Sequence, residues 1–392
     1  MNVYQEIAGE QAALASLRRF FHQHPELSGK EFKTAEKIEA ELDALSVSHR
    51  RVGETGVYGE IIGEKGAGPV VVLRADIDAL PIEEENDVPY ASQTAGVMHA
   101  CGHDMHTACL LFASRALAKR RAEFGGTVRL FFQQAEEIGY GGKVFVNEGL
   151  MDGADRVFGI HSAPDLAAGT VGVKPGPNNA SVDYFKIRVH GRAAHVSTPQ
   201  LGADALYAAS QIVTAVQGIV TRRTSPIDSV IIGIGKLTAG TAYNIVAGEA
   251  EMEGTTRLFT PSLRAFVRQQ VDNTARLTAE LNGATADVTW VDYASPLVND
   301  PKVCREVGDT VRALFGAEAL VTDRALSCGG DDFAEFLLKA PGAYAYVGTA
   351  GETPGSCGPA HNSHFDIDER ALTVGAALYA QCALSWLQGQ AF

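Results

Sequence analysis

A mixed α/β fold carrying an inserted second domain is what this 392-residue chain predicts. Three observations lead there. Apolar strand-like runs alternate with amphipathic helical runs over residues 1–180, which is α/β patterning. The rhythm changes at about residue 181 and the first one resumes at about 294. The length also exceeds the ~250–300 residues at which a single hydrophobic core stops growing.

Residues 10–21 and 31–45 read as helices, 57–62 and 69–75 as strands, and about 104–121 as a long helix. The run VVVLRA (70–75) is apolar nearly throughout, as strands covered on both faces are. A strand over 127–133, a helix over 141–149 and a strand over 156–161 follow. The inserted segment then reads strand (181–191), helix (202–223), strand (229–237), strand (244–259), helix (262–282) and strand (285–293). That β-α-β-β-α-β order is the ferredoxin-like split βαβ sandwich. Turn-rich VKPGPNN (173–179) and ASPLVND (294–300) flank it. Helices over 301–315 and 331–339, a strand over 343–348 and a helix over 369–388 complete the outer domain. No fixed-period repeat or low-complexity tract occurs, which excludes solenoids.

Composition narrows the functions. Lys and Arg number 33 against 47 Asp and Glu, a net charge of −14 that repels phosphate backbones and anionic membranes, so neither nucleic acid nor membrane is expected as a partner. The start MNVYQEIAGEQAALASLRRFF lacks the basic and apolar regions of a secretory signal, and no stretch of about 18 apolar residues occurs, so a cytoplasmic protein is expected. The six cysteines contain no CxxC pair and form no close-set framework; free thiols fit a reducing compartment.

Metal-ligand side chains gather in short segments where a predicted strand ends or a helix begins. RADIDALP (74–81) places Asp76 and Asp78 on one face of a strand end. MHACGHDMHTA (98–108) carries Cys101, His103, Asp104 and His106 ahead of a long helix, a thiolate and an imidazole two residues apart that suit zinc or a similar metal. In QQAEEIG (133–139), Glu136 and Glu137 point in different directions, so one can ligate a metal while the other holds a water beside it. His161 ends the run RVFGIH, and GPAHNSHFDIDE (358–369) supplies His361 and His364. Alone, each segment has an ordinary reading as a turn, cap or polar loop. Together they put every candidate ligand at a strand end of one α/β domain, where ligand sites form. One Cys, one Glu and three His exceed the four ligands of a closed structural site and imply two metals in an open centre.

On these segments, together with GRAAHVSTPQLGADA and GTAYNIVAGEAEMEGTTR, the sequence resembles the metal-dependent amidohydrolases related to zinc aminoacylases and glutamate carboxypeptidases. It is most similar to the branch of hippurate hydrolase and the indoleacetyl-amino-acid hydrolases. The resemblance implies an α/β/α catalytic domain (1–180 with 294–392) and a ferredoxin-like lid or dimerisation domain (181–293). It implies that Cys101, His103, Glu137, His161 and His361 bind two divalent metals (Zn, Mn, Co or Ni), with Cys101 bridging, and that Glu136 is the general base. Asp76 and Asp78 become orienting groups behind the ligands. His195 matches the histidine that stabilises the oxyanion, and Asn244 and Arg257 match positions that grip a substrate carboxylate. GGDDF (329–333) departs from the family wording, which leaves Asp331 and Asp332 without a role; His364 stands where the family usually carries other side chains, and its role is open too. The implied reaction is hydrolysis of N-acyl-amino acids by a homodimer or dimer of dimers; a peptidase acting on free peptides and a catalytically silent metal-binding relative are the rivals.

Overall fold

The computed structural model describes residues 2–389. It divides into two compact units, one formed by the chain up to Gly176 with Val298–Ala325 and the chain from Asp332 on, the other by Pro177–Leu297 with Leu326–Asp331.

The first unit is built on an eight-stranded sheet. Its order is Ser48–Val52, Gly56–Ile62, Thr127–Gln133, Val70–Asp76, Arg156–Ala167, Gly342–Ala350, Val171–Gly172 and Leu320–Val321. The four strands from Thr127–Gln133 to Gly342–Ala350 run parallel, so their carboxyl ends open on one rim. Side-chain alternation shows why helices cover both faces. Val128, Leu130 and Phe132 join the main core with the helices His103–Ala118 and Arg370–Gln388. Between them Phe131 points the other way, its ring 4.8 Å from Phe145 and 5.5 Å from Phe336, on the short helices Gly141–Asn147 and Ala334–Leu337.

Several elements differ from the sequence expectation. A helix Val3–Gly9 precedes the expected first helix, opened by a capping box in which Asn2 and Gln5 exchange hydrogen bonds. The strand through His161 does not end there but runs on to Ala167, because Gly342–Ala350 pairs with it as far as Ala350. The expected helix 331–339 shrinks to Ala334–Leu337: Gly329 and Gly330 precede it and Pro341 follows, leaving room for about one turn.

The second unit has the strand order Val230–Ala239, Glu249–Leu258, Val182–His190, Thr285–Ala294, antiparallel throughout, with helices Ala205–Arg222 and Pro261–Leu281 packed on it. Its core is separate, centred on Phe185, Ile187, Ile212, Met252 and Val271. The expected strand 244–259 is two strands: Ile245–Val246 pairs with Ala194–His195, and Glu249–Leu258 joins the main sheet after Gly248, a residue that weakens strand interiors. Residues 326–331 belong to this unit, outside the 181–293 range read from the sequence, because Ala180 N donates to Ser327 O at 2.9 Å and Ser327 N to Asn178 O at 2.9 Å. Among the described residues no helix is long and apolar enough to cross a membrane.

Candidate metal centre

The parallel strands deliver carboxylates to their carboxyl rim, and the helix His103–Ala118 begins beside it. Gly102 makes that entry possible with φ +91°, a conformation glycine adopts without penalty. A Cβ there would lie 2.7 Å from Ser162 Oγ, so Cys101 and His103 face the His161 strand across a gap only glycine fits.

Five of the expected ligands converge. Cys101, His103 and His161 place one ligand atom each within 4.8 Å of one another, and so do Cys101, Glu137 and His361. Cys101 is common to both triads, its Sγ 3.5 Å from His161 Nε2. Glu137 Oε1 lies 3.8 Å from His103 Nε2, and Glu137 Oε2 lies 3.5 Å from His361 Nε2. Glu136 forms a further group with His103 and Glu137.

The surrounding hydrogen bonds set the tautomers. His103 Nδ1 donates to Asp78 O at 2.9 Å and faces Asp78 Oδ1 at 3.2 Å, which turns Nε2 toward the other candidate ligands. Burial lowers the pKa of His103, but Asp76 and Asp78 outweigh it and raise it, and a bound cation would take the place of the proton on Nε2. Among the described residues that Nε2 is buried without a hydrogen-bond partner. An orphaned buried nitrogen amid a thiol, two further imidazoles and a carboxylate is what a divalent cation would satisfy, so the residues fit a metal pair. His161 Nδ1 donates to Ser162 O at 2.7 Å, and burial, with His106 nearby, lowers its pKa to about 3, keeping its imidazole neutral as metal binding requires. The hydrogen bond to Glu137 raises the pKa of His361. Burial, with Glu137 alongside, pushes the Cys101 thiol up to about 12; a bound cation reverses this, since ligating thiols are deprotonated.

The remaining expected residues sort themselves. Burial pushes the Asp76 carboxyl up, but Arg74 and two histidines outweigh it and hold it well below the carboxylate range. Asp76 bonds Arg74 Nη1 at 2.6 Å and His106 Nδ1 at 2.5 Å, and His106 Nε2 accepts from Ser162 N at 2.8 Å, so His106 is fully engaged in bracing the site. Asp78 Oδ2 accepts from Ser28 Oγ and from Glu137 N. Asp332 is an anchor, accepting from Arg74 Nη2 at 2.9 Å, Gln133 Nε2 at 2.8 Å and Gly142 N at 2.8 Å. His364 sits at the surface, 3.1 Å from Glu85 Oε2. Asp331, His195, Asn244 and Arg257 belong to the second unit. There His195 is exposed with Nδ1 bonded by Ser197, Asn244 is exposed, and Arg257 Nη1 donates to Thr255 Oγ1 and Thr256 O.

Three supporting residues escaped the sequence reading. Arg18 and His22, fully buried on the helix Gln11–Gln23, engage Asp104 next to His103: Arg18 Nε at 2.7 Å and His22 Nδ1 at 2.7 Å. Arg18 also bonds Asp366 near His361. The signal was present, since Arg18 falls on the stripe Leu14, Leu17, Arg18, Phe21, a charge at an apolar position of an amphipathic helix. Glu31, also buried, reaches Ala135 beside the Glu136–Glu137 pair; nothing local marked it.

Residues 72–385 match peptidase family M20/M25/M40. The chain is 39% identical over 380 residues to N-acetylcysteine deacetylase of Bacillus subtilis, covering 96% of this chain and 97% of that protein. It is 38% identical to thermostable carboxypeptidase 2 of Saccharolobus solfataricus, covering 95% of each. A crystal structure of a dinuclear metal-binding peptidase of the M20 family from Bacillus subtilis superposes with a TM-score of 0.84 at 37% identity, over 97% of this chain and 99% of that one.

Proposed function

Because the chain belongs to peptidase family M20/M25/M40, we propose that it hydrolyses the amide bond of N-acyl-amino acids at a two-metal centre. The observation that carries this is Cys101 shared between two ligand triads with Glu136 alongside. Cys101, His103, Glu137, His161 and His361 would hold the ions, zinc, manganese, cobalt or nickel. Bound divalent cations lower the pKa of water toward neutrality and polarise an amide carbonyl. Glu136 takes one proton from the attacking water as its oxygen bonds the carbonyl carbon, and returns it to the nitrogen as the C–N bond breaks, leaving a carboxylic acid and a free amine. Asp78 holds His103 by Nδ1 and Glu137 by its backbone N–H, so both keep their orientation through turnover. The likeness to a deacetylase of an acetylated amino acid supports the acyl-amino-acid substrate.

The Glu136→Gln variant is expected to keep its metal, measured by elemental analysis, and to lose about 10²–10⁴-fold in kcat on an N-acetyl-amino acid. Wild-type turnover in that variant would overturn the reading. His195 as oxyanion donor and Asn244 and Arg257 as the carboxylate grip rest on the family resemblance. Arg257→Ala is expected to raise KM roughly tenfold or more for substrates with a free carboxylate, the scale of a charged hydrogen bond, and to leave KM unchanged for their amides. Action on free peptides is the second reading, favoured by the carboxypeptidase relative; unblocked dipeptides hydrolysed as fast as N-acetyl-amino acids would establish it. Six free cysteines suit a reducing compartment, and we place the protein in the cytoplasm. Assembly as a homodimer or dimer of dimers is proposed on the resemblance.

A further inference from the structure

Between the strand Thr127–Gln133 and the helix Gly141–Asn147, the chain turns through Ala135 with φ +53°, a left-handed conformation unusual for a residue bearing a Cβ. Both ends of that residue are held. Its carbonyl accepts from Tyr140 N at 3.1 Å and Gly141 N at 3.3 Å, and its N–H donates to Glu31 Oε1 at 2.9 Å. Glu31 is fully buried. Its Oε1 also accepts from Gly29 N at 2.9 Å, and its Oε2 accepts from Thr55 Oγ1 at 2.6 Å. On the other side of Glu136, the Glu137 N–H donates to Asp78 Oδ2 at 3.0 Å. The N–H groups of the two residues flanking Glu136 are thus each taken by a buried carboxylate, and the residue between them has its direction set by that grip.

We propose that Glu31 is a positioning residue for Glu136: by accepting the Ala135 N–H it holds the left-handed turn from which the Glu136 side chain departs. This rests on Glu136 being the general base. A carboxamide at position 31 keeps the oxygen that accepts from Gly29 and Ala135 and can donate to Thr55 Oγ1, so Glu31→Gln retains the grip while Glu31→Ala removes it. Glycine occupies the left-handed region without a Cβ penalty, so Ala135→Gly lowers the turn's dependence on Glu31.

The test compares Glu31→Gln, Glu31→Ala, Glu31→Asp and the double variant Glu31→Ala with Ala135→Gly, each assayed for kcat, KM and metal content on an N-acetyl-amino acid. Glu136→Gln runs alongside. Expected are kcat within about threefold of wild type for Glu31→Gln and a kcat loss of roughly 10–100-fold for Glu31→Ala, with KM and metal content little changed, the scale of a misplaced catalytic group. Partial recovery of kcat is expected in the double variant. In metal-free protein, amide exchange of residues 133–140 is expected to speed up at least about tenfold in Glu31→Ala and not in Glu31→Gln. If Glu31→Ala does not fold, Glu31→Asp, which keeps the charge but withdraws the oxygens by one methylene, gives the same comparison. Wild-type kcat in Glu31→Ala or Glu31→Asp with an inactive Glu136→Gln would overturn the positioning role alone; so would equal damage from Gln and Ala, or no recovery in the double variant. An active Glu136→Gln would instead overturn the base assignment.

Discussion

Asp104 stands one residue from His103 and carries much of the support behind the metal centre. Burial pushes its carboxyl up, but Arg18 and His22 outweigh that and hold it far below the carboxylate range. A carboxyl with a depressed folded pKa stabilises the protein above its unfolded value, about 3.9, and the contribution is lost as pH falls through the folded value. His22 behaves oppositely. Its burial is outweighed by Asp104 and Glu84, its pKa is raised, and its contribution is present below about 6.5 and lost as pH rises through the folded value. Asp104→Asn leaves Arg18 buried with one carboxylate fewer, so a destabilisation of roughly 3–5 kcal/mol is expected at neutral pH, shrinking below pH 4. Denaturant unfolding of wild type and variant at several pH values measures it, and equal stability at pH 7 would refute it. The candidate ligands that the structure brings together were legible because each sits in a short segment such as CGHD or QQAEE that names its chemistry locally. Arg18 and Glu31 were not, because each acts on a partner about 85 to 350 residues away and a lone charged residue carries no mark of its partner.

Among elements, the parallel strands and the helix His103–Ala118 were legible from apolar runs and spacing, and so was the β-α-β-β-α-β order of the second unit. Continuations were not. Whether the strand through His161 stops or runs on to Ala167 depends on Gly342–Ala350 pairing beside it, a partner that local patterning does not register. The helix start at Gly102 is where an element meets the chemistry. Gly102→Ala adds a left-handed penalty of about 1–2 kcal/mol and puts a Cβ 2.7 Å from Ser162 Oγ, so Cys101 and His103 must shift from the His161 strand. Metal affinity is expected to fall at least about tenfold, the scale on which supporting contacts act, while circular dichroism stays close to wild type. A metal titration with unaltered affinity would show that the helix entry does not set the ligand geometry.

At the scale of the molecule, the two units have separate cores, and the first is assembled from three stretches of chain. The strand Gly342–Ala350 lies between Arg156–Ala167 and Val171–Gly172, so an interior place in the large sheet is filled by a segment made long after both of its neighbours. Roughly 180 residues separate Ala167 from Ala350, which at ~5–20 residues per second is roughly 10–40 s of synthesis. Through that interval the edge of a strand with Val157, Phe158 and Ile160 buried in the finished protein has no neighbour on one side. Ribosome-stalled chains that have exposed only residues up to 341 are expected to be cut by protease within Arg156–Ala167, whereas chains with residue 389 clear of the ribosome are protected; equal protection at both lengths would refute this. His361 lies beyond the same gap, and its N–H donates to Ala100 O beside Cys101. The nascent protein therefore carries four of its five candidate ligands over roughly 200 residues of synthesis before the fifth exists, so a full metal complement would wait for translation to pass His361.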